Sequence, residues 1–201
     1  MKVAITGHSR GIGKAFVEQL SSRGHEIIGI SRKNNNNIQN ISNTATLIEP
    51  ADLFINNAQS NYAQTELLYE VWKRWANWLP PHHKWIWNIS TMITEEPIDT
   101  FEHYFPDRVN SARDRTEVET SQYRNQKLAL EEASRQLRYK SNWPRITIIR
   151  PGGVATHKDK NNTNRSNVDE WVKSVIDTFT HNSTIHISEI SIGYTNKRIP
   201  I

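Results

Sequence analysis

The opening of the chain constrains its fold more than any other segment. Lys2 to Thr6 is a short apolar strand, Gly7, Gly11 and Gly13 follow within a few residues, and Lys14 to Leu20 has helical apolar spacing. A glycine loop set between a strand and a helix is the context of a dinucleotide-binding loop. Gly7 permits the tight turn, Gly11 lets backbone approach a pyrophosphate, and Gly13 lets the helix pack close on the strand. The helix N-terminus then offers free amides to phosphate oxygens.

A second strand, Glu26 to Ile30, completes a βαβ unit and runs into Ser31 and Arg32. A site built for NAD places an acidic residue about here for the ribose hydroxyls, whereas an arginine accepts a 2′-phosphate. Ser31 and Arg32 therefore favour NADP over NAD, and Arg10 in the glycine loop adds a second positive charge.

Tyr123 and Lys127 lie four residues apart ahead of the apolar positions Leu128, Leu130, Ala133 and Leu137, so both project from one helical face. An ammonium beside a phenol favours the phenolate and makes tyrosine a usable proton donor or acceptor near neutral pH. Alone the pair is common on helices; together with the glycine loop it gains meaning.

Five segments in order resemble the short-chain dehydrogenase/reductase family across nearly the whole chain. They are Thr6 to Gly13, Asp52 to Gln59 (ending Asn56, Asn57, Ala58, Gln59), Trp87 to Ser90, Tyr123 with Lys127, and Ile146 to Thr156 with Pro151 and Gly152. The resemblance implies a doubly wound, mostly parallel, seven-stranded Rossmann-type α/β sheet. It implies catalytic roles for Ser90, Tyr123 and Lys127, with Asn61 the nearest candidate for a fourth, helix-borne asparagine. It carries cofactor contacts to Gly7, Ser9, Arg10, Gly11, Ile12, Gly13, Ser31, Arg32, Asn40, Asn57, Ala58, Tyr123, Lys127, Pro151, Gly152, Val154 and Thr156. Four features depart from the family. Gln59 puts a side chain where the family has glycine; Asn34 to Asn37 leave room for little more than a turn between strands two and three; and the stretch from Ser90 to Tyr123 is long. Asn40 stands where the family has an aspartate against adenine.

With 201 residues and 36% hydrophobic content the chain can bury one core, and no break in pattern divides it. Strand-like runs fall at 2–6, 26–31, 38–41, 52–56, 84–90, 145–150 and 184–192, and helical patterns at 12–23, 43–49, 64–79, 117–140 and 168–181. Their alternation predicts a parallel sheet covered on both faces. The polar segments 91–120 and 157–167 border the expected pocket as small substrate lids. Trp72, Trp75 and Trp78 form a stripe read as packing, and the two helices bearing that stripe and Tyr123 are expected to build a homodimer or homotetramer.

Zero cysteines exclude disulfides and thiolate chemistry, and His82-His83 in a proline turn is poor evidence for a metal. The net charge of +4 comes from mixed basic and acidic residues without a basic cluster, which argues against a nucleic-acid partner. No apolar run approaches membrane-spanning length and no leader precedes the first strand, so a cytoplasmic location is expected. The expected activity is NADPH-dependent interconversion of a small-molecule carbonyl and alcohol. Tyr123 exchanges the proton, Ser90 bonds the oxygen, and Lys127 serves the phenol and the nicotinamide ribose. The rival expectation is a dinucleotide-binding sensor or scaffold without turnover. A sugar-nucleotide epimerase fits less well, because little chain follows Thr156.

Overall fold

The computed structural model describes residues 1–77, 84–95, 117–156, 166–180 and 185–193, with side chains of the long helix from 121 onward. Trp78, the His82-His83 turn and most of both expected lids lie outside the described residues.

The main sheet has six parallel strands in the order β2-β1-β3-β4-β5-β8. These are β1 (Lys2–Thr6), β2 (Glu26–Ile30), β3 (Leu53–Asn56), β4 (Trp85–Ile89), β5 (Arg145–Pro151) and β8 (Glu189–Ile192). A two-residue pair, β6 (Val154–Ala155) with β7 (Ser166–Asn167), stands apart from it. Helices α1 (Gly11–Ser22) and α5 (Val168–Thr180) carry Phe16, Leu20, Trp171, Val172, Val175 and Phe179 in one buried cluster. The residues that alternate to the other face of the strands, among them Ala4, Phe54, Ile86 and Ile146, join a second cluster. There they meet α2 (Ile41–Ile48), α3 (Ala63–Ala76) and α4 (Glu117–Lys140). This is the two-faced covering that a parallel sheet requires, since its strands are apolar on both sides.

The expected strand at 38–41 does not form, so among the described residues the sheet has six strands where seven were expected. Asn34 accepts from the Ser31 amide at 2.9 Å and donates to the Gly29 carbonyl at 2.6 Å, which folds Arg32–Asn34 into a single 3₁₀ turn. Asn35 then takes a left-handed φ of 61°, and the Asn40 side chain accepts from the Asn43 amide to start α2. Asparagine side chains compete for the backbone, and here they win over the short Ile38–Ile41 run. The connection from β2 to β3 is shortened, but it keeps the eight-residue helix α2 after the 3₁₀ turn, where little more than a turn was expected. Of the last expected strand, Glu189–Ile192 pairs in the sheet.

Trp75 is 3% exposed and donates to the Glu49 carbonyl, while Trp72 packs against the same cluster. The described part of the stripe is therefore packing within the chain. Among the described residues no helix is long and apolar enough to cross a membrane.

From β1 the chain winds outward to β2 and then returns past β1 to β3. The winding direction reverses between β1 and β3. In open parallel sheets ligands bind at the carboxyl ends of the strands beside such a reversal.

Candidate active site at the carboxyl ends of the strands

Thr6 ends β1 at this point, and its hydroxyl accepts from the amides of Asn57 (2.9 Å) and Ala58 (3.0 Å) at the end of β3. Asn57 also donates its side-chain amide to the Thr6 carbonyl at 2.9 Å. The two strand ends are thus tied into one floor. Above it Gly7 has φ +70° and Gly11 φ +54°, conformations that L side chains rarely adopt. A Cβ on Gly13 would stand 2.3 Å from the Gly7 carbonyl oxygen, which is the close helix–strand approach expected of the third glycine.

The N-cap of α1, Arg10, makes no side-chain cap bond, and no acidic residue occupies the first turn. The amides there are left for an outside acceptor. Thr156 closes over the loop, 3.3 Å from where a Gly11 Cβ would lie. Pro151 and Val154 are buried beneath it, with Gly152 half-buried between them. A Cβ on Gly152 would come within 2.8 Å of the Gly193 backbone. Ser9 and Ile12 are half-buried in the loop. Arg10 and Arg32 are exposed and have no ion-pair partner among the described residues, while Ser31 is buried. These residues fit a dinucleotide: tight glycine backbone, an uncapped helix start and two uncommitted guanidinium groups.

Lys127 is 3% exposed on α4. Its Nζ donates to Gln64 Oε1 and to the Ile89 carbonyl, each at 2.8 Å, and lies 5.7 Å from the centre of the Tyr123 ring. Burial pulls its pKa from the usual 10.5 down to about 7, against the opposing pull of the Glu131 charge. The folded chain therefore binds the Lys127 proton more weakly than the unfolded chain does. Between about pH 7 and pH 10.5 the unfolded state holds more protons, so stability rises with pH across that window. Replacing Lys127 with Met should remove that contribution. Urea midpoints of wild type and Lys127→Met should differ more near about pH 6 than near about pH 10.

Gln64 was not among the expected site residues. It is 2% exposed, and its amide donates to the carbonyls of Asn56 (2.6 Å) and Ile89 (3.2 Å) while its oxygen receives Lys127. The signal was present in the sequence: Gln64 falls on the helical stripe of Leu67, Leu68 and Val71, where a polar side chain must find buried partners. Asn61 is exposed with φ 49°, outside α3, and the helix amide that reaches Lys127 is that of Gln64. Gln59 turns outward to Gln126 on α4.

Ser90 is 2% exposed and gives its hydroxyl proton to Glu131 at 2.5 Å. It continues the alternation of Ile86 and Asn88 toward α4, where Asn88 donates to Ser134. Its neighbour Thr91 accepts from the Ile93 amide at 3.4 Å, and its proton goes to no described group.

Residues 3–70 match the profile of the NAD dependent epimerase/dehydratase family. A comparison of the sequence with curated proteins gives no match. Among solved structures the chain is similar to an alcohol dehydrogenase from the archaeon Thermococcus sibiricus complexed with 5-hydroxy-NADP, with a TM-score of 0.69 at 13% identity, covering 100% of this chain and 99% of that one. It is also similar to the 3-alpha-hydroxysteroid dehydrogenase from Pseudomonas sp. B-0831 complexed with NADH (TM-score 0.68, 16% identity, 96% and 95% covered). A short-chain dehydrogenase/reductase from Vibrio parahaemolyticus matches at TM-score 0.68 and 14% identity, with 99% of each chain covered. The chain has the fold of the short-chain dehydrogenases/reductases, a Rossmann-type parallel sheet covered by helices.

Proposed function

We propose that the chain is an NADP(H)-dependent oxidoreductase of the short-chain dehydrogenase/reductase type that interconverts a small-molecule carbonyl and an alcohol. The observation that carries the reading is one of placement. The uncapped glycine loop after β1, the Thr156 segment after β5 and the buried Lys127 beside Tyr123 all meet the same end of the sheet. A reduced nicotinamide held there supplies hydride; the protein supplies orientation and proton transfer. Tyr123 gives its phenolic proton to the carbonyl oxygen, and the Lys127 ammonium favours the phenolate left behind. Of the two hydroxyls at the end of β4, Ser90 has committed its only proton to Glu131, so Thr91 is the donor for the developing negative charge.

In this reading Gly7 to Gly13, Asn57, Ala58, Pro151, Gly152, Val154 and Thr156 line the dinucleotide, and Ser31, Arg32 and Arg10 receive the 2′-phosphate. Asn40, whose oxygen caps α2, keeps its amide protons for adenine. The segments 91–120 and 157–167 flank the substrate, and the chain works as one domain in the cytoplasm. Assembly into a homodimer or homotetramer is part of the same proposal. It rests on the exposed Tyr62 and Tyr69 at and on α3, because Trp75 is buried within the chain.

The rival, a dinucleotide-binding protein without turnover, draws on one observation. Two of the three protons of the Lys127 ammonium are already held by Gln64 and Ile89. Turnover decides between them: NADPH absorbance should fall with at least one member of a panel of ketones and aldehydes. Cofactor choice is tested separately by fluorescence titration. NADPH should bind more tightly than NADH, and Arg32→Asp should erase most of the gap by turning attraction into repulsion. Equal affinities of the wild type for both would refute the preference.

A further inference from the structure

We propose that Glu131, one helical turn beyond Lys127, is the positioning residue of this site: its carboxylate anchors the end of β4 and sets the negative charge against which the Lys127 ammonium is held. The inference rests on the oxidoreductase reading for its catalytic meaning and on geometry for its electrostatic part. Glu131 is 2% exposed, and both of its oxygens are occupied. Oε1 receives Ser90 (2.5 Å), Thr94 (2.7 Å) and Arg150 Nε (3.0 Å); Oε2 receives Arg150 Nη2 (2.7 Å) and Arg135 (3.2 Å).

Ser90 and Thr94 bracket Thr91, and the Ser90 amide is itself fixed to the Ile149 carbonyl at 2.8 Å. One carboxylate thus fixes the strand end that carries both the Ile89 carbonyl bound to Lys127 and the Thr91 hydroxyl. Behind it Arg150 is shared with Glu189 (2.6 Å) and Glu95 (3.6 Å), and Glu189 also binds Arg135 and Arg138. Burial works to raise the Glu131 pKa; the bonds from Arg150, Ser90 and Thr94 outweigh it and hold the carboxyl ionised. The groups facing Lys127 are the Tyr123 ring and Glu131 on its own helix, Gln64 on α3 and the Ile89 carbonyl on β4. Among these described groups Glu131 is the one fixed negative charge.

A buried ion pair is weak evidence of stabilisation, because an apolar pair of similar volume often serves as well. The position of this one, on the strand end and one turn from the lysine, gives it a different use. It also follows from the network that Ser90 acts through Glu131 as part of the anchor.

The test is a titration of the Lys127 side chain by NMR of ¹³C-labelled lysine, assigned by its loss in Lys127→Met, which needs neither cofactor nor substrate. In Glu131→Gln the Lys127 midpoint should fall by about one unit. Glu131→Asp, which keeps the charge, should restore most of it. If Glu131→Gln does not fold, Glu131→Met is compared with Glu131→Asp: the Lys127 midpoint should lie lower in the Met variant, which lacks the charge, than in the Asp variant, which keeps it. An unmoved midpoint in a folded variant overturns the proposal and leaves Glu131 a structural partner of Arg150. Where turnover is measurable, Glu131→Gln should lower kcat roughly five-fold at neutral pH and recover it at more acid pH. A purely structural role would lower kcat equally across the profile. A chain that fails to reduce any carbonyl but shows the shifted midpoint refutes the oxidoreductase reading and keeps the electrostatic one.

Discussion

Tyr123→Phe is expected to abolish measurable carbonyl reduction, a loss of about 10²–10⁴-fold or more for a general acid, while leaving NADPH affinity nearly unchanged. The ring, half-buried on α4 with Lys127 5.7 Å from its centre, can still pack; only the hydroxyl is lost. The neighbouring hydroxyls sharpen the result. Thr91→Val should lower kcat by roughly 10²–10³-fold, as one lost donor to a developing oxyanion does. Ser90→Ala should lower it less, since Ser90 already spends its proton on Glu131. The reverse order, with Ser90→Ala the more damaging, would return the donor role to Ser90 and require the Glu131 bond to break during the reaction. Full activity in Tyr123→Phe would mean that another group carries the acid chemistry.

The second large effect lies in the glycine loop. A methyl group on Gly13 would sit 2.3 Å from the Gly7 carbonyl oxygen and 2.8 Å from the Asn57 amide. Both neighbours are held: Gly7 donates its amide to the Ile30 carbonyl, and Asn57 is bonded to Thr6. Gly13→Ala must therefore push α1 away from β1, destabilising the fold by about 3 kcal/mol and moving the amides proposed to face the phosphates. Dinucleotide binding by fluorescence should be lost at concentrations that saturate the wild type, and the urea midpoint should fall. Gly24→Ala is the control. It keeps the strain of a positive φ (+80°) but has open space around its Cβ, so it should affect stability and leave binding alone. Equal dinucleotide affinity in Gly13→Ala would contradict the assignment of the loop.

Much of the architecture was legible because the physics is local. The glycine spacing reflects two backbone conformations and one close approach, and each excludes side chains by itself. The helices were legible from their apolar period: α5 places Trp171, Val172, Val175, Ile176 and Phe179 on one buried face. The strand expected at 38–41 was misread because Ile38 and Ile41 look apolar enough to pair, while four asparagines upstream were forming turns. The candidate site was legible in Tyr123 and Lys127, which the fold brings together, but not in the groups that hold them. Gln64 and Glu131 are polar residues on apolar helical stripes, and their meaning depends on which strand ends arrive opposite. That is set by the sheet order and not by spacing along the chain. Ser90 against Thr91 is the same case, since strand alternation decides which hydroxyl turns under α4.

The claim that this end of the sheet moves hydride is tested most directly by isotope transfer. The wild type would be given NADPH deuterated at the transferable position of the nicotinamide, with a panel of ketones and aldehydes, and the alcohols formed would be weighed by mass spectrometry. The account predicts at least one alcohol carrying a single deuterium at the former carbonyl carbon, formed by the wild type and not by Tyr123→Phe. Tight binding of NADPH with no deuterium in any product would contradict it and leave a dinucleotide-binding protein without turnover.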